Sequence, residues 1–291
     1  MSEEIIKKIH ELIITNNRML SRHHEMLTRQ SEMLVHCEME SLRNYSRYDN
    51  PKSLMRFGRQ IYSQIDEDGI IREIFSRIGT INKIFVEFGI GNGLANNTAA
   101  LLFDGWRGLW IDSSEKYITM IKDNLSAIID QGRLNVLKSF ITRDNINDLI
   151  ASNIDCAEID LLSVDIDGND YHILQAITCI SPRVIVIEYN AKFPPPISFC
   201  MDYNESHTWQ DNDCFGASLT FLERHLQNYS LVGCNLSGVN AFFVRNDLVG
   251  HHFLEPYSAE KHYEPARYYL IPVSSGHKAS YKTLGQSQTV R

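Results

Sequence analysis

The first fifty residues carry apolar side chains at a spacing of seven. From Arg18 the sequence reads RMLSRHH, EMLTRQS, EMLVHCE, and no Pro or Gly precedes Pro51 and Gly58. Heptad periodicity of this length is typical of a coiled coil and predicts one long helix over residues 1–48. Two adjacent columns are apolar throughout, and a third is mostly polar: Ile5, Leu12, Met19, Met26, Met33, then Ile6, Ile13, Leu20, Leu27, Leu34, then Ile9, Asn16, His23, Gln30, Cys37.

We expect this helix to bind further copies of itself. Its apolar stripe is too wide to stay exposed on an isolated helix, and polar residues in a seam typically fix register and oligomer state. The prediction is a homo-oligomer, with a trimer or tetramer favoured over a dimer. Two other interpretations stay open: the helix packs on its own globular domain, or it docks on a membrane surface or a partner enzyme.

From Lys83 onwards, short apolar runs alternate with helical segments. Such alternation predicts right-handed crossovers and a parallel sheet covered on both faces. The final two runs, 230–235 and 241–246, are joined by a turn too short for a crossover, so they form an antiparallel hairpin. The predicted fold is therefore α/β, a doubly wound and mostly parallel seven-stranded sheet. The other strands are predicted over 83–89, 107–112, 133–140, 159–165 and 183–189, with helices over 94–104, 114–129 and 218–229.

Composition and charge separate the same two regions. The chain has 291 residues and a net charge of -8, all of it in residues 49–291, which hold 29 acidic against 21 basic residues. An acidic body lacks the electrostatic footprint of nucleic-acid binding. No run approaches a membrane span or a signal peptide, and the six cysteines show no zinc spacing. We expect a cytoplasmic protein with reduced thiols, a domain over 49–273, and a flexible tail over 274–291.

The most specific chemistry follows the first predicted strand, in Glu87-Phe88-Gly89-Ile90-Gly91-Asn92-Gly93. In a doubly wound sheet this turn lies where ligands bind. Asp112 ends the second strand, where a carboxylate accepts the ribose hydroxyls of an adenosine. The third glycine of the dinucleotide fingerprint is absent, and an acid in the turn suits the ammonium and sulfonium of S-adenosylmethionine better than a pyrophosphate. A nicotinamide or flavin site, and a turn without ligand, remain alternatives.

These features resemble class I S-adenosylmethionine-dependent methyltransferases, which have a Rossmann-like fold. More narrowly, FVEFGIGNGLANNT (85–98), LLSVDIDGNDYHIL (161–174), VIVIEYNAKFPPP (184–196) and HYEPARYYL (262–270) resemble FkbM-like methyltransferases of bacterial polysaccharide and glycan biosynthesis. The resemblance covers residues 55–272 and implies that the segment with Gln64 covers the cofactor. The expected cofactor-binding residues are Gln64, Glu87, Gly89, Gly91, Asn92, Gly93, Asp112, Ser113 and Asp165.

Catalytic candidates follow strands four and five. Asp165 and Asp167 end one strand and Glu188 ends the other, and neighbouring parallel strands end at one edge. Several carboxylates at one site repel each other unless they are protonated or hold a cation, and oxygen ligands favour Mg²⁺, Ca²⁺ or Mn²⁺. This arrangement resembles the site of metal-dependent sugar O-methyltransferases. It departs from that site in one respect: Tyr189 and Asn190 stand where a second acid is expected after Glu188. The alternative is that Asp165 positions the cofactor and the acids after it only form a turn.

The loop over residues 191–215 is expected to recognise the acceptor, because specificity usually resides on loops at strand ends. Tyr203 and Trp209 could stack on a sugar, and His207 is the leading candidate for the general base, ahead of His172 and Asp167. The expected function is methyl transfer from S-adenosylmethionine to a sugar hydroxyl of a glycan precursor, with assistance from a divalent cation. The alternatives are a small-metabolite N- or O-methyltransferase and a non-catalytic coiled-coil scaffold.

Overall fold

The protein's structure is a computed structural model that describes residues 3–270 and 277–286. Its contacts divide the chain into an N-terminal unit ending at Asn44 and a larger body beginning at Tyr45. The helices are α1 Glu3–Arg43, α2 Glu67–Ile78, α3 Glu115–Asp130, α4 Ile146–Ala151, α5 Asp170–Ala176, α6 Leu219–His225, α7 Asn246–Val249, α8 Ala259–His262 and α9 Tyr281–Gly285. The strands are β1 Ile84–Phe88, β2 Arg107–Asp112, β3 Leu134–Lys138, β4 Glu158–Val164, β5 Ser181–Glu188, β6 Tyr229–Cys234 and β7 Asn240–Arg245.

The N-terminal unit is one uninterrupted helix of 41 residues, as the heptad pattern predicts. Side chains of both apolar columns are exposed along it, from Ile5 at 47% to Leu34 at 67%. Apolar side chains exposed at this density are unfavourable, because the burial of each would lower the free energy. Self-association through α1 therefore stays the prediction for this unit.

We expect the variant with both Leu20→Glu and Leu27→Glu to sediment and scatter light as a 33.5 kDa monomer. Two carboxylates per helix in the apolar stripe would be buried without partners in any assembly built on it. The matched control is Ser21→Glu with Thr28→Glu, which adds the same charges one position away from the stripe and should keep the wild-type mass. A monomeric wild-type chain would contradict the prediction.

The body contains one seven-stranded sheet of order β3-β2-β1-β4-β5-β7-β6. Strands β1 to β5 are parallel to one another, and β7 pairs antiparallel with both β5 and β6. The predicted α/β fold, with its terminal antiparallel hairpin and its preceding long helix, is confirmed. The order reverses between β1 and β4, so the carboxyl edge of these two strands is the position at which such sheets bind ligands.

Two hydrophobic clusters cover the two faces of the sheet. Successive residues of a strand point to opposite faces. Phe85 and Trp110 accordingly belong to one cluster, and Val86 and Leu109 belong to the other. All four side chains are fully buried, which explains the unbroken apolar runs from which the strands were predicted.

Two predictions about local structure differ from what is observed. The helix predicted over 94–104 is reduced to a short 3-10 segment, Ala99–Asp104, because Glu87 binds the backbone of residues 97 and 98 and holds them out of a helix. The tail predicted over 274–291 contains α9, whose Leu284 is fully buried in the core. Residues 271–276 and 287–291 of the chain lie outside the described residues.

None of the helices in the described ranges has both the length and the apolarity that a membrane span requires. All six cysteines fall within those ranges and are free thiols.

Candidate functional site

Two adjoining cavities open at the carboxyl edge of the sheet, and both are lined by Gly89 and Gly91. The larger has a volume of about 330 Å³ and extends past the end of β2. The smaller, of about 120 Å³, extends towards the residues after β1 and the start of β7. The glycine turn is therefore the junction between two differently lined spaces.

The first two glycines of the turn have different tasks. Gly89 has a φ of +71°, and a Cβ there would lie 1.5 Å from the carbonyl oxygen of Asp165. Only glycine lets β1 approach the end of β4 this closely. Gly91 has nothing within 4 Å of the position of a Cβ, so its backbone is open to a ligand. Gly93 instead packs against Trp110 and Ile121 beneath the turn.

Glu87 is the organiser of the loop after β1. Its buried carboxylate accepts hydrogen bonds from the backbone N–H groups of Asn97 (2.7 Å) and Thr98 (3.1 Å), from the side-chain amide of Asn96 (2.7 Å), and from the hydroxyl groups of Thr98 and Ser163. Burial raises the pKa of Glu87, and these donors counteract the shift. Glu87 borders the smaller cavity, but its oxygens are already engaged by the loop.

Asp112 joins the glycine turn to the larger cavity. Its carboxylate accepts hydrogen bonds from the backbone N–H groups of Gly91 and Ser114, each at 2.8 Å. A carboxylate has about four acceptor positions, so positions remain for the two hydroxyls of a ribose. Ser113 and Tyr117 continue the wall, and Phe140 and Ile141 supply apolar surface suited to an adenine ring.

The smaller cavity holds the other residues that were expected to bind the cofactor. Gln64, Asn92 and Asp165 line it together with Asn96, Asn97 and Asn240. The side chain of Asn92 also accepts a hydrogen bond from the backbone N–H of Leu94, at 3.0 Å. The structure therefore places every predicted cofactor residue except Gly93 on one of the two cavities.

Asp165, Asp167 and Glu188 form one cluster, as their positions at the strand ends predict. One carboxylate oxygen of each lies within 4.8 Å of those of the other two. Burial raises the pKa of Asp165 and of Glu188 well above the usual carboxyl range, and repulsion from the neighbouring acids raises both further. Oε2 of Glu188 is buried and has no hydrogen-bond partner among the described residues. The cluster therefore requires a proton or a cation.

A fourth acid, Asp170, shapes the turn that presents the cluster. Its carboxylate accepts hydrogen bonds from the backbone N–H groups of Ile166 (2.8 Å) and Gly168 (2.9 Å). Burial raises the pKa of Asp170 to about 6. Asp167 lies between these two donors with a φ of +56°, a conformation uncommon for residues other than glycine. The turn thus directs the side chain of Asp167 to the cluster at some cost in backbone strain.

His207 reaches the same edge from the long loop. Its Nε2 donates a hydrogen bond to the carbonyl oxygen of Asp167 at 3.1 Å, which fixes Nδ1 as the acceptor of the neutral ring. A Cβ at position 168 would lie 2.4 Å from Nε2, so Gly168 is required for this approach. His207 also lines the larger cavity beside Asp167.

The competing base, His172, is fully engaged. The guanidinium of Arg143 donates to Nδ1 at 2.7 Å, and Nε2 donates to the carbonyl oxygen of Met201 at 2.7 Å. Because a guanidinium only donates, neither ring nitrogen is left to take a proton. Arg143 also covers the ring of Tyr203 at 4.0 Å, which blocks one face of that predicted stacking residue. Trp209, by contrast, is 49% exposed.

Three residues at this edge were not predicted from the sequence as site residues. Phe140 follows the end of β3 and could have been found by extending the strand-end argument to a third strand. Asn240 begins β7 opposite Glu188, so it lies at the same edge only because β7 is antiparallel. Tyr268 is near Glu188, whose charge adds to the burial that raises the pKa of this phenol to about 12. Tyr268 falls within the segment 262–270 that carries the resemblance, but no role was assigned to it there.

No protein-family model and no curated protein matches the chain. Among solved structures, it is similar to the C-terminal domain of precorrin-6Y C5,15-methyltransferase from Rhodobacter capsulatus, at 14% identity over 42% of this chain and 61% of that one, with a TM-score of 0.30. It is similar to TrmK from M. capricolum in complex with S-adenosyl-homocysteine, at 10% identity over 60% and 67%, with a TM-score of 0.36.

A third similar structure is a SAM-dependent methyltransferase from Geobacter sulfurreducens in complex with S-adenosyl-L-homocysteine, at 15% identity over 47% of this chain and 54% of that one, with a TM-score of 0.32. The chain thus spans less than two thirds of the first and the third of these proteins. Similarities of this size carry no argument about activity. The function is inferred from the residues of the chain itself.

Proposed function

We propose that the protein is an S-adenosylmethionine-dependent O-methyltransferase that acts on a sugar hydroxyl of a glycan or polysaccharide precursor. The observation that carries the proposal is the pair of cavities meeting at Gly89 and Gly91. One has a ribose-binding acid, Asp112, and apolar walls for adenine. The other borders Asp165 of the carboxylate cluster. An adenosine joined to a cationic amino acid matches both ends of this arrangement.

The reaction is a direct displacement. The acceptor oxygen attacks the methyl carbon of the sulfonium, the carbon–sulfur bond breaks, its electron pair stays on sulfur, and the hydroxyl proton leaves to a base. An alcohol is too weak an acid to react at neutral pH without such a base or a cation. Asp167 and Nδ1 of His207 are the leading candidates for that base, and their lining of the larger cavity supports this role. The remainder of the protein supplies proximity and orientation.

A divalent cation fits the cluster of Asp165, Asp167 and Glu188. Three carboxylates offer hard oxygen ligands, and the unpartnered Oε2 of Glu188 supplies an acceptor with nothing else to bind. These residues would hold the ion, which would lower the pKa of the acceptor hydroxyl. Tyr189 and Asn190, which follow Glu188, take no part, since Tyr189 donates to the carbonyl of Glu264 and Asn190 to that of Phe215.

We expect EDTA to lower the rate of methyl transfer by about tenfold or more, and added Mg²⁺ or Mn²⁺ to restore it. The rate of S-adenosylhomocysteine release is the measurement, and binding of S-adenosylhomocysteine in the same buffers is the control. If EDTA leaves the activity unchanged, the negative charge of the cluster is neutralised by a proton and not by a cation.

A sugar acceptor is favoured by two exposed aromatic side chains, Trp209 in the loop that carries His207 and Tyr268 near Glu188. Trp209 and Tyr268 are 49% and 46% exposed, and rings of this kind stack on sugar faces. The test is incubation with S-adenosylmethionine and separate panels of nucleotide sugars, glycans and small metabolites. We expect S-adenosylhomocysteine release with a saccharide. Release with small metabolites alone would reassign the acceptor, and no release with any panel would contradict the proposal.

A further inference from the structure

Two buried carboxamides of the smaller cavity have oxygens without a donor. Asn96 and Asn240 are only 6% and 3% exposed and both line the cavity. Neither Oδ1 atom has a hydrogen-bond partner within the described part of the chain. A buried acceptor without a donor is costly and uncommon in a folded protein, so an oxygen pair of this kind indicates a ligand.

The orientation of both carboxamides is fixed by buried carboxylates. The Asn96 amide donates to Glu87 at 2.7 Å, and the Asn240 amide donates to Glu67 at 3.2 Å. Since a carboxylate only accepts, each NH₂ group must face its acid and each oxygen must face away from it. Rotating either carboxamide would bring two acceptors together. Each oxygen is therefore directed away from its acid, in a residue that lines the smaller cavity.

Glu67, the acid that accepts the hydrogen bond from Asn240, is itself held in place by other donors. Glu67 is fully buried, and its carboxylate also accepts from the side-chain amide of Asn235 (2.6 Å) and from the backbone N–H of Ile65 (2.9 Å). These donors belong to the segment that starts α2 and to the turn between β6 and β7. Two parts of the chain that are distant in sequence thus fix the orientation of the Asn240 carboxamide.

We infer that Asn96 and Asn240 bind the α-ammonium group of the cofactor's methionine half through their Oδ1 atoms. Asp165 lines the same cavity, so the space offers two amide oxygens and a carboxylate. An ammonium has three N–H donors and a positive charge and satisfies such a set. A pyrophosphate carries only acceptors and negative charge, so the same cavity excludes a dinucleotide. The inference rests on the proposed function, because it places one group of S-adenosylmethionine.

The test compares two ligands that differ only in the amino-acid part. S-adenosylhomocysteine carries the ammonium, whereas 5′-methylthioadenosine retains the adenosine and the thioether without it. For Asn240→Leu we expect calorimetry in EDTA to show the affinity for S-adenosylhomocysteine lowered by about 10- to 100-fold. The affinity for methylthioadenosine should stay within about twofold of wild type, since the larger cavity is untouched.

The variant Glu67→Gln tests whether the orientation of the Asn240 carboxamide matters for binding. A glutamine can offer its own NH₂ group to Asn240, so the carboxamide is no longer fixed, and we expect a smaller loss of the same selectivity. Glu205→Gln, an exposed change, is the control and should bind both ligands as wild type does.

Each outcome is decisive. Equal losses for both ligands in Asn240→Leu, or no loss for S-adenosylhomocysteine, would overturn this inference while the proposed function stands. A wild-type protein that binds neither ligand would overturn the proposed function and the inference with it. Thermal melting of each variant separates a binding effect from unfolding, and Glu67 keeps its other two donors when Asn240 is replaced.

Discussion

Replacing Glu188 by Gln is expected to lower kcat for methyl transfer by about 100- to 10,000-fold. The change keeps the size of the side chain and removes one charge from the cluster with Asp165 and Asp167. Either role of the cluster, proton acceptor or cation site, depends on that charge. Among the described residues that line the larger and the smaller cavity, Glu188 does not occur. The Kd for S-adenosylhomocysteine should therefore change by less than about threefold.

The same variant should not be less stable than wild type. Glu188 is repelled by Asp165 and by two further acids, and this repulsion, after burial, raises its pKa. Removing a charge from mutually repelling groups reduces the electrostatic repulsion in the folded state. We therefore expect Tm to stay constant or rise. Glu260→Gln, at an exposed position of α8, is the control for charge removal and should keep full activity. A lower Tm with normal kcat would show that Glu188 is structural.

Glu87→Gln is expected to destabilise the body by about 3 kcal/mol and to lower Tm by about 6 to 12 °C. The amide would place an NH₂ group against donors that now bind a carboxylate, including the backbone N–H of Asn97 and of Thr98. Because Asn96 and Asn97 line the smaller cavity, we also expect the Kd for S-adenosylhomocysteine to rise by about tenfold or more.

Asp123→Asn, an exposed change on α3, serves as the control for Glu87→Gln and should alter neither quantity. Differential scanning calorimetry measures the stability and titration calorimetry measures the affinity. If Glu87→Gln kept the wild-type Tm and lost only affinity, Glu87 would be a direct ligand of the cofactor and the assignment as loop organiser would be wrong.

The sheet and the site edge were predictable because they depend on local patterns and on topology. Strands buried on both faces leave continuous apolar runs, such as the one around Val86, and parallel strands end together. Asp112, Asp165 and Glu188 could therefore be assigned to one edge from the order of the strands. The glycine turn was recognisable because only glycine permits the approach of Gly89 to the end of β4.

The remaining features depend on contacts distant in sequence. The predicted helix over 94–104 fails because Glu87, a residue of the preceding strand, takes the backbone donors that a helix would need. One face of Tyr203, which was predicted to stack on a sugar, is covered by Arg143, sixty positions earlier in the chain. Asn240 belongs to the site through the antiparallel direction of β7, and Glu67 orients it from α2. No period or motif encodes pairs of this kind.

The central claim is that the two cavities bind S-adenosylmethionine. Titration calorimetry of the wild-type protein with S-adenosylhomocysteine and, separately, with NAD tests it most directly. We predict one site per chain for S-adenosylhomocysteine, with a Kd in the micromolar range corresponding to about 8 kcal/mol, and no measurable binding of NAD. Binding of NAD, or the absence of any site for S-adenosylhomocysteine, would contradict it.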